Sequence, residues 1–262
     1  ELLLQQRLEE AEEYLLAEIE EAVRMDDMAA TITLLNELVE FYRERGEREK
    51  CLAYCRQLFQ IIQEAGLDGT IPYATSLLNI ANSYCAAGLL RESMSLFERV
   101  RNIYNEQLED GDYRYATLYN SMSLLFQEMG DYESACDCLK RALGIATQYS
   151  EARIEVAVTY TNLAVAQLKL MRYEEAIENL RRAFAIFELD DEKDYHYSGA
   201  LSAMGEAQYL AGNMEESAYY YELALKEIEK TAGRNKAYEI TLRNLGVVQQ
   251  YLQQFPQENK TF

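Results

Sequence analysis

The chain has 262 residues, with 45 acidic and 25 basic side chains and a formal net charge of −20. A surface this acidic repels phosphate backbones and anionic lipid, so we expect no nucleic-acid partner and no membrane partner. No apolar run approaches the roughly 18 residues that a membrane span requires. The cysteines are five, an odd number. Free thiols fit a reducing compartment, and we expect a cytoplasmic protein.

The apolar pattern predicts helices along the whole chain, and no strand-like alternation interrupts it. An acidic helix, 6–25, comes first and stands alone. Five hairpins follow, each of two antiparallel helices. We call the N-terminal helix of a hairpin its first helix and the C-terminal one its second helix. Their predicted ranges are 31–66, 71–108, 113–148, 151–189 and 194–231. A lone helix at 237–253 and a frayed polar tail at 254–262 complete one predicted domain, 1–262.

The hairpins repeat with a nearly constant period. The predicted turns fall at intervals of 42, 42, 41 and 41 residues, at Gly46, Gly88, Gly130, Met171 and Gly212. A small residue stands five positions after each turn: Cys51, Ser93, Ala135, Ala176 and Ser217. A mostly larger residue stands nine positions after it: Cys55, Phe97, Leu139, Leu180 and Tyr221. Such offsets keep one stripe of each helix facing its neighbours, so the repeat predicts stacked hairpins that share a core.

The registers continue into both lone helices. A step of 41 from Gly212 reaches Gln253, and Leu242, Leu245 and Gly246 then occupy the first-helix registers. The same step back from Gly46 reaches position 5 and places Ala17 at a small-residue register of a second helix. We therefore expect a processed piece of a longer protein or half-hairpins that cap the array. Self-association through the unpaired faces of the two lone helices is a further expectation.

Several short motifs carry a resemblance to a known family. The phrases G-D-Y-E-S-A at 130–135 and R-Y-E-E-A at 172–176 resemble tetratricopeptide repeats. The longer period, with L-N-I-A at 78–81 and T-N-L-A at 161–164, is similar to the subgroup in kinesin light chains and bacterial peptide-sensing regulators. The resemblance implies an all-α fold, a right-handed α-α superhelix of antiparallel hairpins, and it favours a bacterial source.

In such arrays the first helices line a concave groove, where we expect a protein or peptide ligand to bind. Nine positions before a turn, the chain carries Asn79, Asn162 and Asn244. An amide both donates and accepts hydrogen bonds, and the resemblance implies that an Asn here contacts the backbone of a bound peptide. The competing interpretation is that these amides bond a neighbouring helix. Helix geometry places further candidates on the same side: Asn36, Asn82, Asn120, Gln127, Lys169, Tyr209 and Arg243.

The charged residues expected along the groove argue against two classes of peptide ligand. Tetratricopeptide domains that clamp the carboxylate-ended tails of chaperones carry Lys and Arg at set registers. The corresponding positions here are Asn36, Glu40, Asn79, Thr117 and Ser121. None of these five is Lys or Arg, and only Asn79 matches the residue such a clamp has at its position, so the sequence argues against chaperone tails. The acidity of the chain argues against acidic cargo peptides.

The sequence gives little support for a metal site or a catalytic site. Cys51 and Cys55, at i and i+4, suggest a metal pair, but both occupy core registers and we interpret them as packing residues. Asp190, Asp191 and Glu192 lack the alternating ligands of a calcium loop. The single histidine, His196, has no nucleophile motif to serve, and no glycine-rich phosphate loop is present. We expect no enzyme, no cofactor and no metal.

Two functions remain. The first is a protein–protein scaffold whose groove holds a peptide or a segment of a partner. The second is the peptide-sensing module of a regulator whose output domain is absent from this chain.

Overall fold

The computed structural model describes residues 2–189 and 194–254, with side chains from Arg7 onward. Within these ranges the chain forms twelve α-helices and no strand, which confirms the predicted all-α fold. The helices are α1 Leu2–Arg24, α2 Met28–Glu44, α3 Arg48–Glu64, α4 Ile71–Ala86, α5 Leu90–Gln107, α6 Tyr113–Glu128, α7 Tyr132–Ala146, α8 Arg153–Lys169, α9 Tyr173–Phe187, α10 Tyr195–Leu210, α11 Met214–Ala232 and α12 Lys236–Gln254. None of the described helices is both long and apolar enough to cross a membrane.

Helix ends differ from the prediction by up to four residues. α1 begins at Leu2 instead of Gln6, and α2 begins at Met28 instead of Thr31. The earlier start of α2 follows from Asp27, whose Oδ1 accepts the Ala30 amide at 3.0 Å and caps the helix. The acidic triplet considered for calcium, Asp190 to Glu192, lies outside the described residues.

The helices divide into two compact units. Unit 1 spans residues 1–129 and contains α1 to α6, while unit 2 spans 130–262 and contains α7 to α12. The two helices of the third predicted hairpin, α6 and α7, therefore belong to different units. Unit 1 contains the complete hairpins α2–α3 and α4–α5, and unit 2 contains α8–α9 and α10–α11. The organisation into a single domain stays a prediction.

The predicted turns share one backbone conformation. Gly46, Gly88, Gly130 and Gly212 have φ between +69° and +87°, a region that a residue without Cβ enters at little cost. Met171 has φ +58° at the same point of its hairpin, although it carries a side chain. All five predicted turn positions therefore share the left-handed backbone conformation that often ends a helix.

In three hairpins the small residue five positions after the turn also makes a hydrogen bond within its hairpin. Ser93 Oγ donates to the main-chain oxygen of Ala81 at 2.8 Å, and Ser217 Oγ donates to that of Gly205 at 2.7 Å. Cys51 Sγ makes the same contact with the Val39 oxygen at 3.5 Å. In each case the partners are 12 residues apart, so one register joins the two helices of three hairpins.

Two helices approach each other closely in the α10–α11 hairpin. A Cβ on Gly205 would lie 2.7 Å from Cδ1 of Tyr221, closer than side chains tolerate. The Tyr221 ring therefore lies directly on the backbone of α10, and the residue is only 3% exposed. Glycine at position 205 is the condition for this packing.

In unit 1, α1 is held against the first hairpin by a small polar network. The Glu12 carboxylate accepts hydrogen bonds from Tyr42 Oη at 2.8 Å and from Lys50 Nζ at 2.7 Å. The bond from Lys50, followed by the one from Tyr42, lowers the pKa of Glu12 below its usual 4.5. Burial, reinforced by Glu12, raises the pKa of the Tyr42 hydroxyl. The ionic bond to Lys50 and the bond to the buried Tyr42 thus both hold α1 against the first hairpin.

All five cysteines are buried free thiols. Cys51 and Cys55 are 4% and 0% exposed, as the interpretation as packing residues expects. The two thiols share a hydrogen bond, which lowers the pKa of Cys51 and raises that of Cys55.

Candidate functional site

Two of the candidate asparagines in unit 1 bond each other across neighbouring first helices. Asn79 Nδ2 on α4 donates to the main-chain oxygen of Asn36 on α2 at 2.8 Å. Asn79 Oδ1 accepts from Arg43 at 2.6 Å. Asn36 Nδ2 donates to the Ile32 oxygen and to Ser76 Oγ, both at 2.9 Å. The amide of Asn79 is thus engaged between two hairpins, as the competing interpretation expects, and its ligand role stays a prediction.

The other unit 1 candidates have different surroundings. Asn82 is partly exposed and bonds no residue in the described part of the chain. Asn120 is also partly exposed, and its main-chain oxygen accepts from Ser123 Oγ at 2.6 Å. Gln127 is partly buried, and its Nε2 is enclosed without a hydrogen-bond partner among the described residues.

In unit 2, Asn162 and Asn244 occupy the same register with different outcomes. Asn162 on α8 is partly exposed and hydrogen-bonds none of the residues that the structure describes. Asn244 on α12 acts on the hydroxyl of Tyr221 and lowers its pKa, against the larger effect of burial. Burial raises the pKa of that hydroxyl to about 12, and the charge of Glu206 acts in the same direction. Of these two amides, only that of Asn162 is left for a ligand.

The remaining candidates in unit 2 are a lysine, a tyrosine and an arginine. Lys169 Nζ on α8 lies 3.5 Å from Glu206 Oε1 on α10, and both side chains are 40–47% exposed. Tyr209 is partly buried and packs on the core cluster that contains Tyr221 and Leu245. Arg243 is exposed on α12. Exposure and free hydrogen-bonding capacity therefore favour Asn162 and Arg243 over Tyr209 as ligand contacts.

A cavity that the sequence analysis did not predict lies between α10, the end of α11 and α12. Its volume is about 880 Å³. The two first helices meet where Ser202 Oγ and Thr241 Oγ1 are 3.3 Å apart, and the space opens around this contact. The walls are mostly apolar or small, and include Ser198, Gly199, Ile228, Ala232, Ala237 and Ile240.

One residue of the sequence, Gly199, marks the position of the cavity. Gly199 stands thirteen positions before its turn, where the other hairpins carry Thr33, Thr75, Thr117 and Val158. A Cβ at Gly199 would meet no atom within 4 Å. A β-branched side chain of the usual repeat is therefore missing where the cavity opens.

Comparison with known families agrees with the geometry of the hairpins. The family model described as tetratricopeptide repeat matches residues 30–106 and 113–188, more than half of the chain. The chain belongs to the tetratricopeptide-repeat family.

The relatives of this tetratricopeptide-repeat chain include kinesin-light-chain proteins, as the long period predicts. Protein KINESIN LIGHT CHAIN-RELATED 3 of Arabidopsis thaliana is 25% identical over 158 residues, or 60% of this chain. The match covers 24% of that protein, so the chain spans about a quarter of the length of this curated relative.

Two solved tetratricopeptide-repeat structures illustrate the shared fold. The crystal structure of BtubC (BKLC) from P. vanneervenii has a TM-score of 0.70 and 21% identity, covering 85% of this chain and 91% of that one. The crystal structure of NprR in complex with its cognate peptide NprX has a TM-score of 0.60 and 15% identity, covering 95% of this chain and 75% of that one. At these identities the similarity establishes the fold.

Proposed function

We propose that this chain is a non-enzymatic, cytoplasmic scaffold that binds a peptide or an extended partner segment on its first helices. The observation that carries the proposal is the cavity between α10 and α12, because its volume of about 880 Å³ falls within the range of ligand sites, roughly 300–1,000 Å³. Side chains such as Ile228 and Ile240 line it, so it suits an apolar anchor residue of the ligand.

The amide of Asn162 supplies the second element of the proposed site. It lies on α8, the first helix of the preceding hairpin, and the structure gives it no partner among the described residues. A free amide can accept from a peptide N–H and donate to a peptide oxygen, whatever the peptide's side chains are. The net charge of −20 favours neutral or basic ligands over acidic ones.

A displayed peptide library, selected on the full chain, tests this proposal. Gly199→Leu should place an apolar side chain in the cavity, and its Cβ would meet nothing within 4 Å. We expect this variant, and Asn162→Ala, to bind the selected peptides at least about tenfold more weakly, which corresponds to roughly 1.4 kcal/mol. Gly144→Leu on α7 is the matched control, because a Cβ there also meets nothing within 4 Å. Equal affinity of the parent and Gly199→Leu would refute the cavity as the anchor site.

A peptide-sensing module is the second candidate. The fold similarity to NprR, which was crystallised with its cognate peptide, supports it. A sensor must change conformation on binding, because a ligand without differential affinity for two states shifts nothing. Small-angle scattering with and without the selected peptide separates the two functions. A changed radius of gyration favours the sensor, and an unchanged one favours the scaffold.

A further inference from the structure

A second cavity of unit 2 lies between α7, α8 and α9. Its volume is about 350 Å³, within the range of ligand sites, roughly 300–1,000 Å³. We call it the amide cavity, after Gln167 of α8 and Asn179 of α9 in its wall. None of the residues that line it also lines the cavity between α10 and α12. The two spaces are therefore separate candidates for binding.

The two amides stand at registers that face each other within a hairpin. Gln167 lies four positions before its turn, where the other hairpins carry Tyr42, Tyr84, Phe126 and Gln208. Asn179 lies eight positions after the turn, where the other hairpins carry Tyr54, Leu96, Cys138 and Tyr220. In the first hairpin these registers hold a pair of tyrosine rings, which stack with their centroids 5.4 Å apart. The fourth hairpin has two buried amides there, 2% and 9% exposed.

A chain of hydrogen bonds fixes the orientation of both amides. The Glu175 carboxylate can only accept, so Gln167 turns its Nε2 towards it, and Nε2 donates to Glu175 Oε2 at 3.0 Å. Gln167 Oε1 then accepts from Asn179 Nδ2 at 2.8 Å. Asn179 Oδ1 accepts no hydrogen bond from the residues that the structure describes, and Nδ2 has a second hydrogen. A buried amide thus offers the cavity one acceptor and one donor.

Unit 1 has a cavity at the same registers with apolar walls. This space of about 490 Å³ lies between α3, α4 and α5. Tyr84 and Leu96 line it at the registers of Gln167 and Asn179, and Phe59 lines it at the register of Leu143 in the amide cavity. Both units therefore leave space at this place of the repeat, and the amide pair gives the cavity of unit 2 its hydrogen-bonding capacity.

The other walls of the amide cavity suit a neutral side chain with an apolar stem. Its charged lining residues cancel in formal charge: Lys140, Arg182, Glu175 and Glu178. Leu143 and Leu163, 8% and 3% exposed, add apolar surface.

We propose that the amide cavity binds the carboxamide side chain of a glutamine in a partner polypeptide. Its N–H donates to Asn179 Oδ1, its oxygen accepts from Asn179 Nδ2, and its methylene groups pack on the two leucines. A carboxylate has no hydrogen to donate to Asn179 Oδ1, and a thioether leaves both polar atoms of Asn179 unpaired. This site shares no residue with the proposed peptide site and does not depend on it.

NMR titration of the full chain with four small probes tests the proposal. The probes are the N-acetyl, N-methylamide derivatives of glutamine, glutamate, methionine and lysine, whose side chains are similar in length. The glutamine probe should bind at least about tenfold more tightly than each of the others. It should also shift the side-chain NH₂ signals of Gln167 and Asn179. Free L-glutamine, titrated in parallel, distinguishes a polypeptide side chain from a free amino acid.

A double variant assigns the preference to the two amides. Gln167→Tyr with Asn179→Leu introduces the two residues that line the cavity of unit 1, so both partners of the amide bond become residues that this repeat packs elsewhere. This variant should bind the glutamine probe no more tightly than the methionine probe. Asn102→Leu, which removes an exposed amide from the second helix α5, is the matched control and should keep the preference of the parent. Circular dichroism verifies that both variants are folded.

Four results would overturn the proposal. Equal binding of all four probes by the parent, or binding of none, removes the carboxamide preference. Tighter binding of the glutamate or the lysine probe indicates a charged ligand instead. Binding of free L-glutamine without binding of the glutamine probe indicates a free amino acid. A glutamine preference that survives in the double variant places the site elsewhere. The parent titration alone decides the first three, whatever the stability of the variants.

Discussion

Asn79 Nδ2 donates to the main-chain oxygen of Asn36 at 2.8 Å and so joins two first helices across 43 positions of the chain. The Asn79 oxygen accepts from Arg43, a residue of the same neighbouring helix. An amide at the predicted ligand register therefore holds two hairpins of unit 1 together. A loss of partner binding after changing Asn79 would not by itself distinguish a lost contact from a loosened surface.

Asn79→Ala should lower the free energy of unfolding of unit 1. The substitution removes the hydrogen bonds of Asn79 to the Asn36 oxygen and to Arg43 Nη1, and we expect a loss of about 1–3 kcal/mol. Asn82→Ala, at a partly exposed amide without a described partner on the same helix, should change stability by less than about 0.5 kcal/mol. Urea unfolding of both variants measures the difference. Equal stability of the two would show that the bonds of Asn79 contribute nothing.

Gly205→Ala should destabilise the α10–α11 hairpin. Its Cβ would lie 2.7 Å from the Tyr221 ring, so the ring or the helix must move, at a cost of about 1–3 kcal/mol. Gly144→Ala adds the same methyl group where nothing lies within 4 Å and should instead stabilise the chain by about 0.5–1 kcal/mol. Thermal unfolding distinguishes the two signs. A stabilising Gly205→Ala would contradict the described packing.

Glu12→Gln should weaken the attachment of α1 in a pH-dependent manner. The bonds from Lys50 and Tyr42 lower the pKa of Glu12, so its contribution is complete above pH 4.5 and is lost as the pH falls through the lowered value. At pH 7 we expect a loss of about 1 kcal/mol, a modest value because the network is partly open to solvent.

Thermal unfolding of the parent, Glu12→Gln and the exposed control Glu13→Gln between pH 3 and 8 measures this effect. The difference between the parent and Glu12→Gln should shrink below pH 4.5, while Glu13→Gln should follow the parent throughout. A difference that stays constant with pH would mean that the carboxylate charge of Glu12 plays no part.

The thiols should be protected in the native state. All five cysteines are buried, and burial, helped by the charge of Glu128, raises the pKa of Cys85 to about 11. A thiol reagent added to the native chain should therefore label none within minutes, and should label five in denaturant. Rapid labelling without denaturant would mean that the buried thiols become accessible in local openings.

Met171→Gly should stabilise the α8–α9 hairpin. Met171 has φ +58° and is 74% exposed, so its side chain makes little packing contribution and incurs the steric cost of the left-handed region. We expect a gain of about 0.5–1 kcal/mol, because glycine removes that cost but loses more freedom on folding. Met171→Ala, which keeps the Cβ, is the control and should show no comparable gain in chemical denaturation.

The hairpins and their core could be predicted from the sequence because the repeat constrains them five times over. The hydrogen-bond partners of the polar side chains could not be predicted in this way. Asn79, Asn162 and Asn244 share one register, yet the first bonds Asn36, the second bonds no described residue and the third acts on the hydroxyl of Tyr221. A register fixes the direction of a side chain, whereas its partner depends on a neighbouring helix with its own sequence. The cavity at Gly199 escaped prediction for a related reason, since its signal is a missing side chain.

The left-handed turn at Met171 shows that this turn conformation does not require glycine. Four turns have glycine and one has methionine, yet all five take the same backbone conformation. Glycine is therefore not required for this conformation, although it makes it less costly. A motif search that relied on glycine as punctuation would count four repeats where the chain has five. The apolar faces of the helices therefore indicate the number of repeats more reliably than the glycines do.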